Sequence, residues 1–399
     1  MGYKEKISDL LTDDVIFLLQ TIENSGYEAR IVGGAIRNLL LGAPISDIDL
    51  ATTALPNEIT EIFERKGIQV IPTGIDYGTI TVVYNEKGYE ITTLREDIQT
   101  FGRKAKVSFS KSFETDSNRR DFTINALYMD KNGEIYDYHG GISDIAAKNV
   151  RFIGDCRTRI TEDYLRILRY FRFVAYYGDF KCDKAYLSVI NDMKENVSEL
   201  SSERILSELL KTLELENAYK IIPDMQPILG ELFSVKCNPL EFCIDTELSA
   251  IEKLCLLLKF SECDLDELIK RYKFSKQIKR LLQLKGDFHT SIKAAKKYLK
   301  QIHKSDRRFF VTCFVVRGII AEKISKAEAT KIQNELTGFI NSEYVDFNFR
   351  ASDLAEYNLS ESDLQQIMMR TKAVWLSSDK DFSVKDCKKI AENFIESRK

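Results

Sequence analysis

Apolar residues recur at helical spacing at both ends of the chain and alternate as strands only within its first 140 residues. Leu10, Leu11, Val15, Leu18, Leu19 and Ile22 form one stripe, which predicts a helix over 7–24 that Gly26 stops. A strand over 28–32 feeds the stretch IVGGAIRNLLLGAPISDIDL, read as strand, Gly-Gly turn, short helix and a second strand carrying Asp47 and Asp49. PNEITEIFERKG follows as a helix with Pro56 in its first turn and Gly67 at its end. Residues 68–71 and 79–84 alternate as strands, residues 85–88 form a hairpin turn, and YEITTLR (89–95) returns. EDIQTFGRKAKVSFSKSFETDSN (96–118) lacks periodicity and reads as a long loop, which in a compact domain is usually functional. IYDYHGGISDI closes the strand-rich part; thereafter the pattern is helical, with Thr161 as the cap of a helix through residue 177 and Ser202 as the cap of SERILSELLKTL. A mixed, mostly antiparallel sheet followed by helices is an α+β chain.

Composition narrows this picture. At 399 residues the chain exceeds one compact core. No run approaches the apolar length of a membrane span, and the first residues lack the apolar core of a signal peptide, so a cytoplasmic protein is expected. Eight scattered cysteines without a Cys-x-x-Cys pair read as reduced thiols, not a zinc site or disulfide frame. Three isolated histidines exclude chemistry built on several imidazoles.

The candidate chemistry is acidic and basic instead. On a strand, Asp47 and Asp49 would point the same way while Ile48 and Leu50 pack behind them. Two adjacent carboxylates repel unless a cation lies between them, and hard oxygen donors suit Mg²⁺. Without a Cβ, Gly33 and Gly34 let backbone N–H groups approach a phosphate at a helix N-terminus, with Arg37 one turn in. Glu90, sharing a face with Thr92 and Leu94, is a candidate general base or further metal ligand, or simply a charge at a strand end. Arg119 and Arg120 could fork onto phosphate or ribose oxygens and Asp121 could accept a ribose hydroxyl; an internal ion pair is the other reading. In ITEDYLRILRYFRF, Asp163, Arg166, Arg169 and Arg172 recur every third residue beside the apolar stripe Leu165, Leu168 and Phe171. An Asp beside an Arg offers an acceptor and a forked donor, the combination that reads a base edge. Although the chain carries a net charge of −3, residues 270–308 hold fourteen Lys or Arg against Asp287 and Asp306, the footprint of a phosphate-backbone contact or of a solvated lysine face.

GGAIR, DID, RRDFTINA and EDYLRILRYFRF, in that order, resemble the class II tRNA nucleotidyltransferases, the CCA-adding enzymes and their poly(A) polymerase relatives. The resemblance covers residues 31–211. It implies a nucleotidyltransferase head at 1–145, a neck at 146–212 that recognises the nucleotide base, and a tRNA-binding body at 213–320 and tail at 321–399. It further implies Mg²⁺ on Asp47 and Asp49, the triphosphate on Gly34 and Arg37, and phosphate and ribose contacts from Arg120 and Asp121. Asp163 and Arg166 would template the incoming base, Arg169 and Arg172 would support it, and residues 96–118 would help switch from C to A addition. The implied reaction attaches CTP- and ATP-derived nucleotides to a tRNA 3′ end. A-only addition, poly(A) synthesis, a small-molecule nucleotidyltransferase and a non-catalytic RNA-binding protein are the alternatives. One departure stands out: the family usually has an acid after the motif arginine, and here it is Asn38.

Overall fold

The computed structural model describes residues 6–45, 47–101, 104–243, 247–284, 292–342, 345–378 and 382–397, without the side chains of 97–107. The chain divides into two compact units, Met1–Leu232 and Phe233–Lys399.

In the first unit the predicted opening helix is two helices, α1 (Ile7–Leu10) and α2 (Asp13–Glu23). Thr12 lies between them and its hydroxyl accepts from the Val15 amide, so a cap residue restarts the helix inside a continuous apolar stripe. Strand β1 (Ala29–Val32), helix α3 (Gly34–Leu41), strand β2 (Asp49–Thr52) and helix α4 (Pro56–Glu64) follow. Next come β3 (Gln69–Gly74), β4 (Thr79–Tyr84) and β5 (Lys87–Thr93). The β4–β5 turn takes two residues, not four: Asn85 and Glu86 both have positive φ, which matches the strands' twist and lets Tyr84 pair with Lys87.

Residues 96–118, expected as an aperiodic loop, form a separate antiparallel hairpin, β6 (Arg95–Phe101) with β7 (Lys104–Phe109), and helix α5 (Phe113–Asn118). A polar hairpin with little buried surface leaves no hydrophobic alternation to read. Strands β8 (Leu127–Met129) and β9 (Ile135–Asp137) complete a sheet of order β3-β4-β5-β2-β1-β8-β9. The β2–β5 pair is parallel and the other pairings are antiparallel.

After α6 (Gly141–Ala146) the first unit is helical: α7 (Cys156–Glu162), α8 (Leu165–Tyr177), α9 (Lys184–Asp192), α10 (Ser202–Leu213) and α11 (Ile222–Phe233). The single helix expected over 161–177 is broken at Asp163, whose φ of −157° and ψ of 106° are extended. Asp155, not Thr161, caps α7. Ser201, not Ser202, occupies the position before α10, and its side chain makes no cap bond. An aromatic group ties α8 to the sheet-bearing part: Phe122 lies 4.7 Å from Phe152 and 5.3 Å from Phe173 between ring centres. These contacts fix which way the arginines of α8 face.

The second unit contains α12 (Ala250–Lys259), α13 (Leu265–Tyr272), α14 (Lys276–Gln283), α15 (Ile292–Leu299), α16 (Arg307–Ile320), α17 (Lys326–Ile340), α18 (Glu361–Ser377) and α19 (Val384–Glu396). Trp375 packs with Phe349, Ile367, Cys387 and Ala391 in its C-terminal core. Lys285 and Asp287 of the basic stretch lie outside the described residues. Within it, Arg280 pairs with Asp306, Arg308 pairs with Glu247, and Arg307 is buried against Asp346, whereas Lys270, Arg271, Lys273 and Lys276 are exposed. All eight cysteines are free thiols, and among the described residues no helix is long and apolar enough to cross a membrane.

Candidate active site

Sheet register assembles the acidic end of the site. Val32 of β1 pairs with Asp49 of β2, which sets the Gly33–Gly34 turn beside Asp49. Leu50 pairs with Ile91 of β5, and both are fully buried, so the residues before them, Asp49 and Glu90, face the open side together. Leu94 lies past the end of β5 and is buried, so Glu90 shares that side with Thr92 alone. Asp47 precedes β2 and is exposed; Ile48 is only half-buried. The surroundings desolvate the Asp49 carboxyl although its edge reaches solvent, and Glu90 and Asp47 repel its charge. Against the pull of Arg120, its pKa is pushed up to about 6. Among the described residues no three His, Cys, Asp or Glu side chains form a metal cluster. A cation here would take two protein carboxylates and draw its other oxygens from elsewhere, as Mg²⁺ does with substrate phosphates.

Asp49 lines two adjoining cavities. One, of about 720 Å³, also has Asp47, Glu90 and Tyr89 in its wall. The other, of about 450 Å³, runs past Gly33, Gly34 and Arg37 to Arg120, Asp121, Asp163, Arg166, Arg169 and Arg172. The acidic pair and the arginine row therefore face one connected space.

Within it, Gly33 adopts φ +76°, open to glycine, and a Cβ there would sit 3.5 Å from the Asn125 carbonyl and 3.7 Å from Arg120. Arg120 and Arg119 both bind Asp116, which is 1% exposed and also accepts from the Tyr128 hydroxyl at 2.6 Å. Burial alone would raise the Asp116 pKa, but the two guanidinium groups and the hydroxyl hold it down at about 2. Asp121 accepts from Arg169 at 2.6 Å and from Asn125 at 3.1 Å; against the cost of burial, these partners lower its pKa.

Asp163 and Arg166 do not pair through their side chains. Asp163 accepts from the Leu165 amide at 3.1 Å and from Arg204 of α10 at 2.7 Å. Arg166 donates to Glu162 and to the carbonyl oxygens of Arg159 and Arg119. Arg172 donates to Glu208 of α10 at 2.6 Å. Asp116, Asn125, Tyr128, Glu162, Arg204 and Glu208 were not among the sequence candidates. The i,i+4 pair Arg204 and Glu208, set in an apolar helix, was the available signal for two of them.

Residues 29–151 match the poly(A) polymerase head domain, so the sheet and its carboxylates form a nucleotidyltransferase-type head. The CCA-adding enzyme of Lactobacillus helveticus is 34% identical over 282 residues, covering 67% of this chain and 69% of that one. The chain belongs to the CCA-adding enzyme family. Human mitochondrial CCA tRNA nucleotidyltransferase 1 is 42% identical over 235 residues, 56% of this chain and 54% of the relative. The chain spans about half the length of the mitochondrial relatives it matches. The fold resembles that of the Thermotoga maritima CCA-adding enzyme solved with tRNA, with a TM-score of 0.68 at 18% identity over 98% of both chains. It also resembles the Bacillus stearothermophilus enzyme solved with CTP, with a TM-score of 0.63 at 22% identity over 97% of this chain and 98% of that one.

Proposed function

We propose that this chain adds CCA to the 3′ end of tRNA, using CTP and ATP and releasing pyrophosphate. The observation that carries the reading is Asp49, at the junction between the acidic pair and the arginine-lined cavity. Gly33, Gly34 and Arg37 hold the triphosphate at the N-terminus of α3, and Arg120 and Asp121 contact phosphate and ribose. Asp163 and Arg166 offer the base an acceptor and a donor, while Arg169 and Arg172 support it. Asp47 and Asp49 suit Mg²⁺, which when bound would lower the pKa of the attacking hydroxyl and offset charge on the leaving pyrophosphate. Glu90 holds its carboxylate beside them as base or further ligand. Residues 1–145 act as the head, 146–212 as the base-reading neck, and 213–320 and 321–399 as tRNA-binding body and tail. Eight free thiols suit a reducing compartment such as the cytoplasm.

Incubating a tRNA that lacks its last three nucleotides with CTP, with ATP, and with both tests the reading. Extension by two nucleotides with CTP and by three with both is expected. Extension only of a tRNA ending in CC would instead indicate an A-adding enzyme, long adenosine tails a poly(A) polymerase, and tRNA binding without extension a non-catalytic protein.

A further inference from the structure

Six arginines line the cavity beside Asp49, and five of them are neutralised by a carboxylate. Asp116 serves Arg119 and Arg120, Glu162 serves Arg166, Asp121 serves Arg169 and Glu208 serves Arg172. Arg37 is the exception. Its fork is held by neutral acceptors, the Asn38 carboxamide oxygen at 3.3 and 3.1 Å and the Asn125 carboxamide oxygen, and it lies over the rings of Phe173 and Tyr177. Asp121 and Arg172 act on it at longer range with opposite signs. Asn38 is oriented by what surrounds it: its amide nitrogen donates to the Pro44 carbonyl at 2.8 Å, and its oxygen accepts from the Tyr177 hydroxyl at 3.0 Å. The oxygen is thus committed to Arg37, and the nitrogen to the segment leading into Asp47.

We propose that Asn38 is a positioning residue that aims the Arg37 guanidinium without neutralising it, leaving Arg37 as the cleft's one uncompensated arginine for the substrate's triphosphate. A carboxylate in the same place would orient Arg37 equally well and cancel its charge before any anion arrives. Charge cancelled at hydrogen-bond distance in a half-buried site outweighs the geometry preserved.

The inference rests on the reading that Arg37 holds phosphate, so the test separates the two. Inorganic tripolyphosphate binding is measured by calorimetry over a salt series for the full chain and for Asn38→Asp, Asn38→Ala and Arg37→Gln, with KM and kcat for CTP. Arg37→Gln and Asn38→Asp should each weaken tripolyphosphate by about tenfold and flatten the salt dependence, Asn38→Asp raising KM more than it lowers kcat. Asn38→Ala, which removes the acceptor and adds no charge, should keep affinity within about threefold and keep the wild-type salt slope. If Arg37→Gln weakens binding while Asn38→Asp does not, the inference fails and the phosphate reading stands. If Arg37→Gln has no effect, the phosphate reading itself fails. Should Asn38→Asp not fold, Asn38→Ala decides, because a loss as large as that of Arg37→Gln would overturn the role of charge.

Discussion

Asp163 accepts a hydrogen bond from Arg204, 41 residues away, at 2.7 Å, and not from the side chain of Arg166 three residues on. The two base-reading candidates are therefore fixed independently, one by α10 and one by Glu162 of α7. Arg204→Ala should release Asp163 while leaving Arg166 in place. With a reading group free to move by an ångström, a loss of about 100-fold in kcat/KM for CTP is expected, with poorer rejection of UTP. Single-turnover rates for each nucleotide measure this; unchanged selection would detach Arg204 from base choice.

The raised pKa of Asp49 makes the acidic pair a destabilising feature when no cation is bound. A native carboxyl at about 6, against the ordinary 3.8, binds its proton more tightly than the unfolded chain does. Wild-type stability attributable to this group is thus greatest below pH 4 and declines as pH rises to 6. Asp49→Asn carries no such titration, so in chelator it should melt above the wild type at pH 8, and the gap should shrink as pH falls from 6 to 4. Added Mg²⁺ should raise the wild-type melting temperature more than the variant's. Asp47→Ala should lose nucleotide addition by more than about 1000-fold with tRNA affinity retained. A variant that still adds nucleotides in Mg²⁺ removes Asp47 from the chemistry.

The strands of the head and the apposition of Asp49 with Gly33, Gly34 and Arg37 were legible because alternation and motif order are local. Three features were not. The break at Asp163 falls within a run of good helix formers, and only the pairing with Arg204 compensates an extended residue there. The β6–β7 hairpin carries too little apolar alternation to announce itself. The carboxylates that neutralise the arginine row come from α5, α7 and α10, and a sequence does not display partners that meet only after folding. The same limit made residues 270–308 look more uniformly available than they are, since Arg280, Arg307 and Arg308 are spent on ion pairs.

The cations left exposed are Lys270, Arg271, Lys273 and Lys276 on and around α13 and α14. If these contact the tRNA backbone, converting all four to Gln should lower the slope of log affinity against log salt by about 3 and weaken binding about equally for different tRNAs. Filter binding over a salt series reads both. An unchanged slope would assign the lysines to a solvated face.

Asp116 supports the arginine side of the cleft from below. Nearly inaccessible, it holds Arg119 at 2.8 Å and Arg120 at 3.0 Å and accepts from the Tyr128 hydroxyl. Asp116→Asn would keep the shape but leave two half-buried guanidinium groups uncompensated, at a cost of about 3–5 kcal/mol. The sign of its pH dependence is opposite to that of Asp49. A native pKa of about 2, below the unfolded 3.8, means that the native state binds the proton more weakly. The stabilisation is therefore complete above pH 4 and is lost as pH falls towards 2. Urea midpoints of wild type and Asp116→Asn should be well separated at pH 7 and converge as the pH approaches 2. A constant separation across that range would mean that the arginines do not depend on the charge of Asp116.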